Sequence, residues 1–97
     1  MREIVWSDDA LNDFDSALFY VAKDNSIAAR LIADRVDSAI RTLALNPIGR
    51  PGRVGGTFEK RVLKTPYIIA YVLTDDTLTV LRVIHSSRDW KRNSWPD

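Results

Sequence analysis

All four glycines of the chain and two of its arginines fall within residues 49–57, GRPGRVGGT, a composition that invites a test for phosphate binding. A phosphate-cradling Walker loop follows a strand, opens a helix and ends in Lys-Ser/Thr. This stretch instead follows a helical pattern and feeds a strand-like one. It is therefore expected to act as a helix-to-sheet turnaround, with glycine supplying left-handed backbone and Pro51 stiffening its middle. A turnaround does not require Arg50 or Arg53, so both become candidates for contacting an anionic partner from a loop on a rigid scaffold.

A second group lies in Leu78–His85, where alternation puts Val80, Arg82 and Ile84 on one face and Leu81, Val83 and His85 on the other. Arg82 between apolar neighbours is expected on the sheet face that helices leave open, with Arg61 nearby on an adjoining strand. The alternative is a structural ion pair between Arg82 and Glu59 or an aspartate. His85 is the only histidine and cysteine is absent, so neither a metal site nor a disulfide is expected. The third group is the tail from Ser87 to Trp95, which interleaves Arg88, Lys91 and Arg92 with Trp90 and Trp95. Such a segment suits stacking on bases or a protein hot spot. Alternatively, Trp90 folds back on the core while residues 91–97 fray.

The elements that must position these groups read clearly. Ile4-Val5-Trp6 is strand-prone, and Ser7 followed by Asp8 and Asp9 reads as a helix cap with acids at the positive end of the dipole. Leu11, Phe14, Leu18 and Val21, with Ala10, Ala17 and Ala22 beside them, predict an amphipathic helix to about Lys23. Asn25 or Ser26 caps a second helix with the stripe Ala28, Ile32, Val36, Ile40 and Leu43, ended by Asn46-Pro47. Three strands follow, Glu59 to Lys64, Tyr67 to Leu73 and Leu78 to His85, joined by connections short enough for an antiparallel meander. The expected fold is α+β, two antiparallel helices on one face of a small twisted antiparallel sheet in the order β-α-α-β-β-β. Two helices cover only one face, so the other is expected to stay open or to be covered by a partner.

With 97 residues the chain is expected to form one domain over residues 1–97. No apolar run approaches the roughly 20 residues that span a bilayer, and no secretory h-region opens the chain, which favours the cytoplasm and no membrane partner. Net charge is +1, but residues 1–48 hold five Lys/Arg against eight Asp/Glu, and residues 49–97 hold nine against five. That asymmetry points to an anionic partner for the second half.

As a set, Ile4-Val5-Trp6-Ser7, Ala10 and Asp13, Tyr20-Val21-Ala22, Asp24-Asn25, Asn46-Pro47, GRPGRVGGT with Glu59, TPYIIAYVL and LRVIHSSRDW resemble the ParE branch of the RelE/ParE toxin superfamily. The likeness runs over about residues 3–90. It implies the toxin half of a type II toxin–antitoxin module, neutralised by a ParD-like antitoxin in a hetero-oligomer, meeting operator DNA only through that antitoxin and needing no cofactor or small-molecule substrate. Toxins of this branch are known for blocking DNA gyrase and serve in plasmid stabilisation and growth arrest, whereas RelE relatives cut mRNA on the ribosome. Carried onto this chain, the gyrase-facing surface is expected at Arg50, Arg53, Arg88 and Trp90, and antitoxin contacts at Arg61, Arg82 and Tyr71. The nuclease alternative would use Arg61 and Arg82 to hold a phosphate and His85 to carry the proton. Alternation sets Arg82 and His85 on opposite faces unless the strand bulges, so stoichiometric inhibition without turnover is the favoured expectation.

Overall fold

Ser7 stands between strand β1 (Glu3–Trp6) and helix α1 (Asp8–Ala22), and its hydroxyl makes the break. Ser7 Oγ accepts the Ala10 amide at 3.0 Å and donates to the Leu81 carbonyl at 2.9 Å, so one side chain caps the helix and ties it to the sheet. Asn25 does the capping for α2 (Ser26–Leu45) by accepting the Ala28 amide at 3.0 Å, and Pro47 follows the helix end at Asn46. The computed structural model of the chain describes residues 1–96; Asp97, the last residue of the expected fraying tail, lies outside them.

After α2 come β2 (Arg50–Pro51), β3 (Phe58–Arg61), β4 (Tyr67–Leu73) and β5 (Thr77–His85), in the spatial order β1-β5-β4-β3-β2. The sheet is mixed, which corrects the expected antiparallel one: β1 runs parallel to β5, with Ile4 opposite Leu78 and Trp6 opposite Val80. Hydrophobic alternation says which residues face the core but is blind to strand direction. The glycine-rich stretch also contributes a two-residue edge strand, with Arg50 opposite Glu59 and Pro51 opposite Phe58.

The helix-facing side of the sheet carries Phe58, Tyr67, Ile69, Tyr71, Leu78, Val80 and Val83, packed against Ala10, Val36, Ile40 and Leu43. Each large aliphatic side chain so buried is worth about 1.5–3 kcal/mol. Leu11, expected in the α1 stripe, is exposed; the buried line runs through Ala10 with Phe14 and Ala17. In β5 a bulge at Leu81 shifts the register, since Ala70 pairs with Arg82 while Tyr71 pairs with Val80. Val80 therefore joins the helix side, and only Arg82 and Ile84 stay on the other, a correction to the simple alternation.

That other face is not open at its centre. Glu59, Ile68, Ala70 and Ile84 are all buried there. The C-terminal segment reaches it from both sides: Asn93 donates its amide to the Arg53 carbonyl near β2, and the Pro96 carbonyl accepts from Arg82 on β5. The cover expected from a partner is thus supplied in part by the chain's own tail. Among the described residues no helix is long and apolar enough to cross a membrane, and no cluster of His, Cys, Asp or Glu could hold a metal ion.

Candidate functional site

The glycine-rich stretch does cradle an anion, and the anion is internal. Glu59, only 1% exposed, accepts the Arg53 amide at 2.7 Å, with the Arg50 guanidinium at 3.6 Å and that of Arg53 at 3.9 Å from its other oxygen. A buried carboxylate needs such partners, because an unpaired one would be strongly disfavoured. The turn around it is shaped by glycine: a Cβ on Gly49 would overlap the Tyr71 hydroxyl, and Gly56 has φ +79°. The premise that the fold has no use for Arg50 and Arg53 is corrected here; both are the counter-charge of Glu59. Their side chains nonetheless remain 67% and 41% exposed.

Arg53 is also stacked. Its guanidinium carbon lies 3.9 Å from the centroid of the Trp90 ring, which in turn tilts against Trp95 at 6.5 Å. Stacking of this kind holds the guanidinium plane in place while its edge stays available. Gly55 donates its amide to Asn93 Oδ1 at 2.9 Å, fastening the loop to the tail below the tryptophan. So Trp90 folds back, and it does so onto an arginine.

On the far side of the sheet Arg82 forms a two-pronged pair with Asp13 of α1, at 2.7 and 3.1 Å. The same carboxylate accepts the Val83 amide at 3.0 Å. β1 pairs with β5 only as far as Val80, and beyond that point Ser7 and Asp13 satisfy the exposed edge. The structural ion pair weighed for Arg82 is therefore formed, with Asp13. Beside it opens a hollow of about 400 Å³ whose polar lining includes Asn12, Tyr20, Tyr67, Arg82, His85 and Arg88. His85 Nδ1 accepts from the Ser87 amide at 3.1 Å, which leaves the neutral ring's proton on Nε2, and the ring forms a T-shaped pair with Tyr67.

A family profile described as ParE toxin of type II toxin–antitoxin system, parDE, matches residues 4–90. The chain belongs to the ParE toxin family. It is 36% identical over 90 residues to Y4kP of Sinorhizobium fredii (strain NBRC 101917 / NGR234), a homologue named as a toxin, covering 92% of this chain and 93% of that one. Toxin RelE2 of Caulobacter vibrioides (strain ATCC 19089 / CIP 103742 / CB 15) is 30% identical over 89 residues, covering 91% and 99%. A solved structure titled "Chromosomal ParDE TA system from P. aeruginosa" superposes with a TM-score of 0.77 at 19% identity, over 88% of this chain and 96% of that one, a likeness of fold. This ParE-family chain is thus the toxin component of a type II toxin–antitoxin system.

Within the ParE-family fold the expected site residues separate. Arg50, Arg53 and Trp90 come together around Glu59, whereas Arg88 lines the hollow with Arg82 and His85. Arg61 lies elsewhere, in a groove between α2 and β3, so the three residues of the nuclease alternative are not gathered in one place. Tyr71, expected in an antitoxin contact, is corrected: it is 0% exposed, stacks on Phe58 and accepts the Gly49 amide at 3.0 Å. Burial raises its hydroxyl pKa above the ordinary value of 10, with the Gly49 hydrogen bond pulling the other way. Sequence reasoning passed over Asp13 and Glu59 as organisers. Both are carboxylates with nothing local to pair with, and only the fold brings their arginines to them.

Proposed function

We propose that this toxin inhibits DNA gyrase by stoichiometric binding in the cytoplasm, and that a ParD-like antitoxin neutralises it. The observation that carries the reading is the Arg53–Trp90 stack beside exposed Arg50, a preorganised pair of the residue types that dominate protein hot spots. Arg88, two residues before Trp90 on the same segment, lines the hollow beside Arg82 and His85 and would be a second, separate contact. The arrangement also argues against turnover: Arg82 is neutralised by Asp13, and Arg61 lies outside the hollow that holds His85.

A second reading, ribosome-dependent mRNA cleavage, draws on one specific feature, the hollow where Arg82, His85, Arg88 and two tyrosines converge. The two readings part in a paired assay with purified toxin, one arm measuring gyrase supercoiling of relaxed plasmid and the other mapping mRNA ends on translating ribosomes. Supercoiling should stop at near-equimolar toxin. Arg50→Ala and Arg88→Ala, which leave Arg53 on Glu59, should each weaken inhibition by about 10-fold, the loss of one hot-spot side chain. Intact supercoiling together with codon-dependent mRNA cuts would replace the gyrase reading with the nuclease one.

A further inference from the structure

Of the hollow beside Asp13 and Arg82, the gyrase reading uses only Arg88. The register explains how the hollow arises. β5 keeps Val83 and His85 on its helix-facing side, and Tyr67 lies directly opposite His85, so the two rings stand together against the second half of α1. There α1 presents Ala17, which is too small to fill the space, with Asn12, Ser16 and Tyr20 along the rim. Arg88 and Pro96 bound it from the C-terminal segment. At about 400 Å³ it falls within the size range of sites for small molecules.

Two donors of this lining have nothing to donate to. Tyr67 is only 6% exposed, yet its hydroxyl has no hydrogen-bond partner among the described residues. The one buried side-chain polar atom without a partner among those residues is Trp90 Nε1, so the Tyr67 hydroxyl is not sealed off but opens into the hollow that its ring lines. Burial raises its pKa above the ordinary value of 10, which keeps it a donor at neutral pH. His85 spends Nδ1 on the Ser87 amide, and its Nε2–H likewise has no partner among the described residues. With Asp13 as the one carboxylate against Arg82 and Arg88, the described lining carries net positive charge. It therefore favours an anion rich in acceptors.

From these features we infer that the hollow binds a nucleoside monophosphate, with its phosphoryl group toward Tyr67, His85 and Arg88 and its base toward Tyr20 and Asn12. A phosphoryl group offers three oxygens and accepts from several elements at once, where a carboxylate has only two. Tyr20, 74% exposed at the rim, gives a base a face to stack on, and the Asn12 amide both donates to and accepts from a base edge. Inorganic phosphate alone would leave most of the volume to solvent. The site uses none of Arg50, Arg53 and Trp90, so it stands apart from the stacked arginine surface. Its occupant still reaches that surface indirectly, because Arg88 and Pro96 belong to the segment that carries Trp90 to Arg53. A nucleotide that binds the folded chain thus ties that segment to α1 and β5.

Titration calorimetry on the purified full chain tests this, with AMP, GMP, CMP and UMP in separate arms and with inorganic phosphate and adenosine as partial ligands. At least one monophosphate is expected to bind about 10-fold or more tightly than either partial ligand, and to raise the Tm of the chain. Tyr67→Phe removes a hydroxyl that no protein group uses, so it should weaken binding by about 10-fold while leaving the Tm without nucleotide unchanged. Ser16→Glu sets a carboxylate on the rim at an exposed helix position and should abolish binding. Ser38→Glu makes the same change on α2, outside the hollow, and should leave binding as it is. No heat and no Tm shift at millimolar nucleotide, or equal affinity in the unaltered, Tyr67→Phe and Ser16→Glu chains, overturns the site. Inorganic phosphate bound as tightly as every nucleotide overturns the nucleotide assignment. A short single-stranded RNA bound more tightly than every monophosphate assigns the hollow to a strand end instead. Each of these outcomes leaves the gyrase reading to its own supercoiling assay.

Discussion

Asp13 shows how much one side chain does in this molecule. It neutralises Arg82 and finishes the edge of β5 at Val83, with Arg82 and Asp13 side chains only 17% and 19% exposed. Asp13→Ala would strand a largely buried guanidinium and an edge amide together, so a loss of about 3 kcal/mol is expected, at the low end for a broken buried pair because some water still reaches it. Chemical denaturation measures this, and a loss under about 1 kcal/mol would mean that water replaces the carboxylate, as it does for surface pairs. Tyr71 offers a second test. Its hydroxyl pKa, and that of Tyr67, is raised by burial, so the folded state holds these protons more tightly than the unfolded chain does. The resulting stability is present in full below pH 10, the ordinary tyrosine value, and is lost as pH climbs through the raised folded values. Tyr71→Phe should flatten the alkaline decline, at the cost of about 1–3 kcal/mol at neutral pH because the Gly49 amide loses its acceptor. An unchanged alkaline limb would assign the decline to other groups.

Among the elements, the helices were the most legible. Ser7 and Asn25 announce their ends because a cap is a local contract between one side chain and an amide three residues on. The strands of the meander were also visible, Tyr67–Leu73 to the residue, since a run apolar on both faces has to be covered twice. Three things stayed hidden. The direction of β1 depends on which edge it joins, the bulge at Leu81 depends on its partner strand, and the Glu59 cradle depends on residues that meet only when β2 lies against β3. The β3–β4 turn carries its own test, because Lys64 adopts φ +62° although it has a Cβ. Left-handed backbone costs an L-residue about 1–2 kcal/mol, and the larger unfolded-state entropy of glycine returns part of that gain. Lys64→Gly is therefore expected to stabilise the fold by about 0.5–1 kcal/mol, readable as a higher Tm. A lower Tm would show that the Lys64 side chain contributes more than its backbone strain removes.

At the scale of the whole molecule, two helices protect one face of the sheet and the C-terminal segment protects the middle of the other. The segment is held at one side by Asn93 on Arg53 and Gly55 and at the other by Pro96 on Arg82, so it crosses the strands as a strap. On the face it crosses lie Ile68 and Ile84, each nearly devoid of solvent contact. A chain ending at Ser87 would return both isoleucines to water, at about 1.5–3 kcal/mol each, against a net stability of about 5–15 kcal/mol for a domain of any kind. It would also take Trp90 from beneath Arg53. The shortened chain is expected to keep its helical circular dichroism at low temperature, to melt at least about 12 °C lower, to bind an apolar dye, and to lose the gyrase inhibition proposed above. Should it melt within a few degrees of the full chain, the isoleucines must be covered from elsewhere and the tail would serve only the target. Should it melt lower yet still stop supercoiling, the tail is a structural strap and the binding energy lies in Arg50 and Arg53 alone. Both losses together are the expected result, because the segment that crosses the sheet is the same one that carries Trp90 to the arginine.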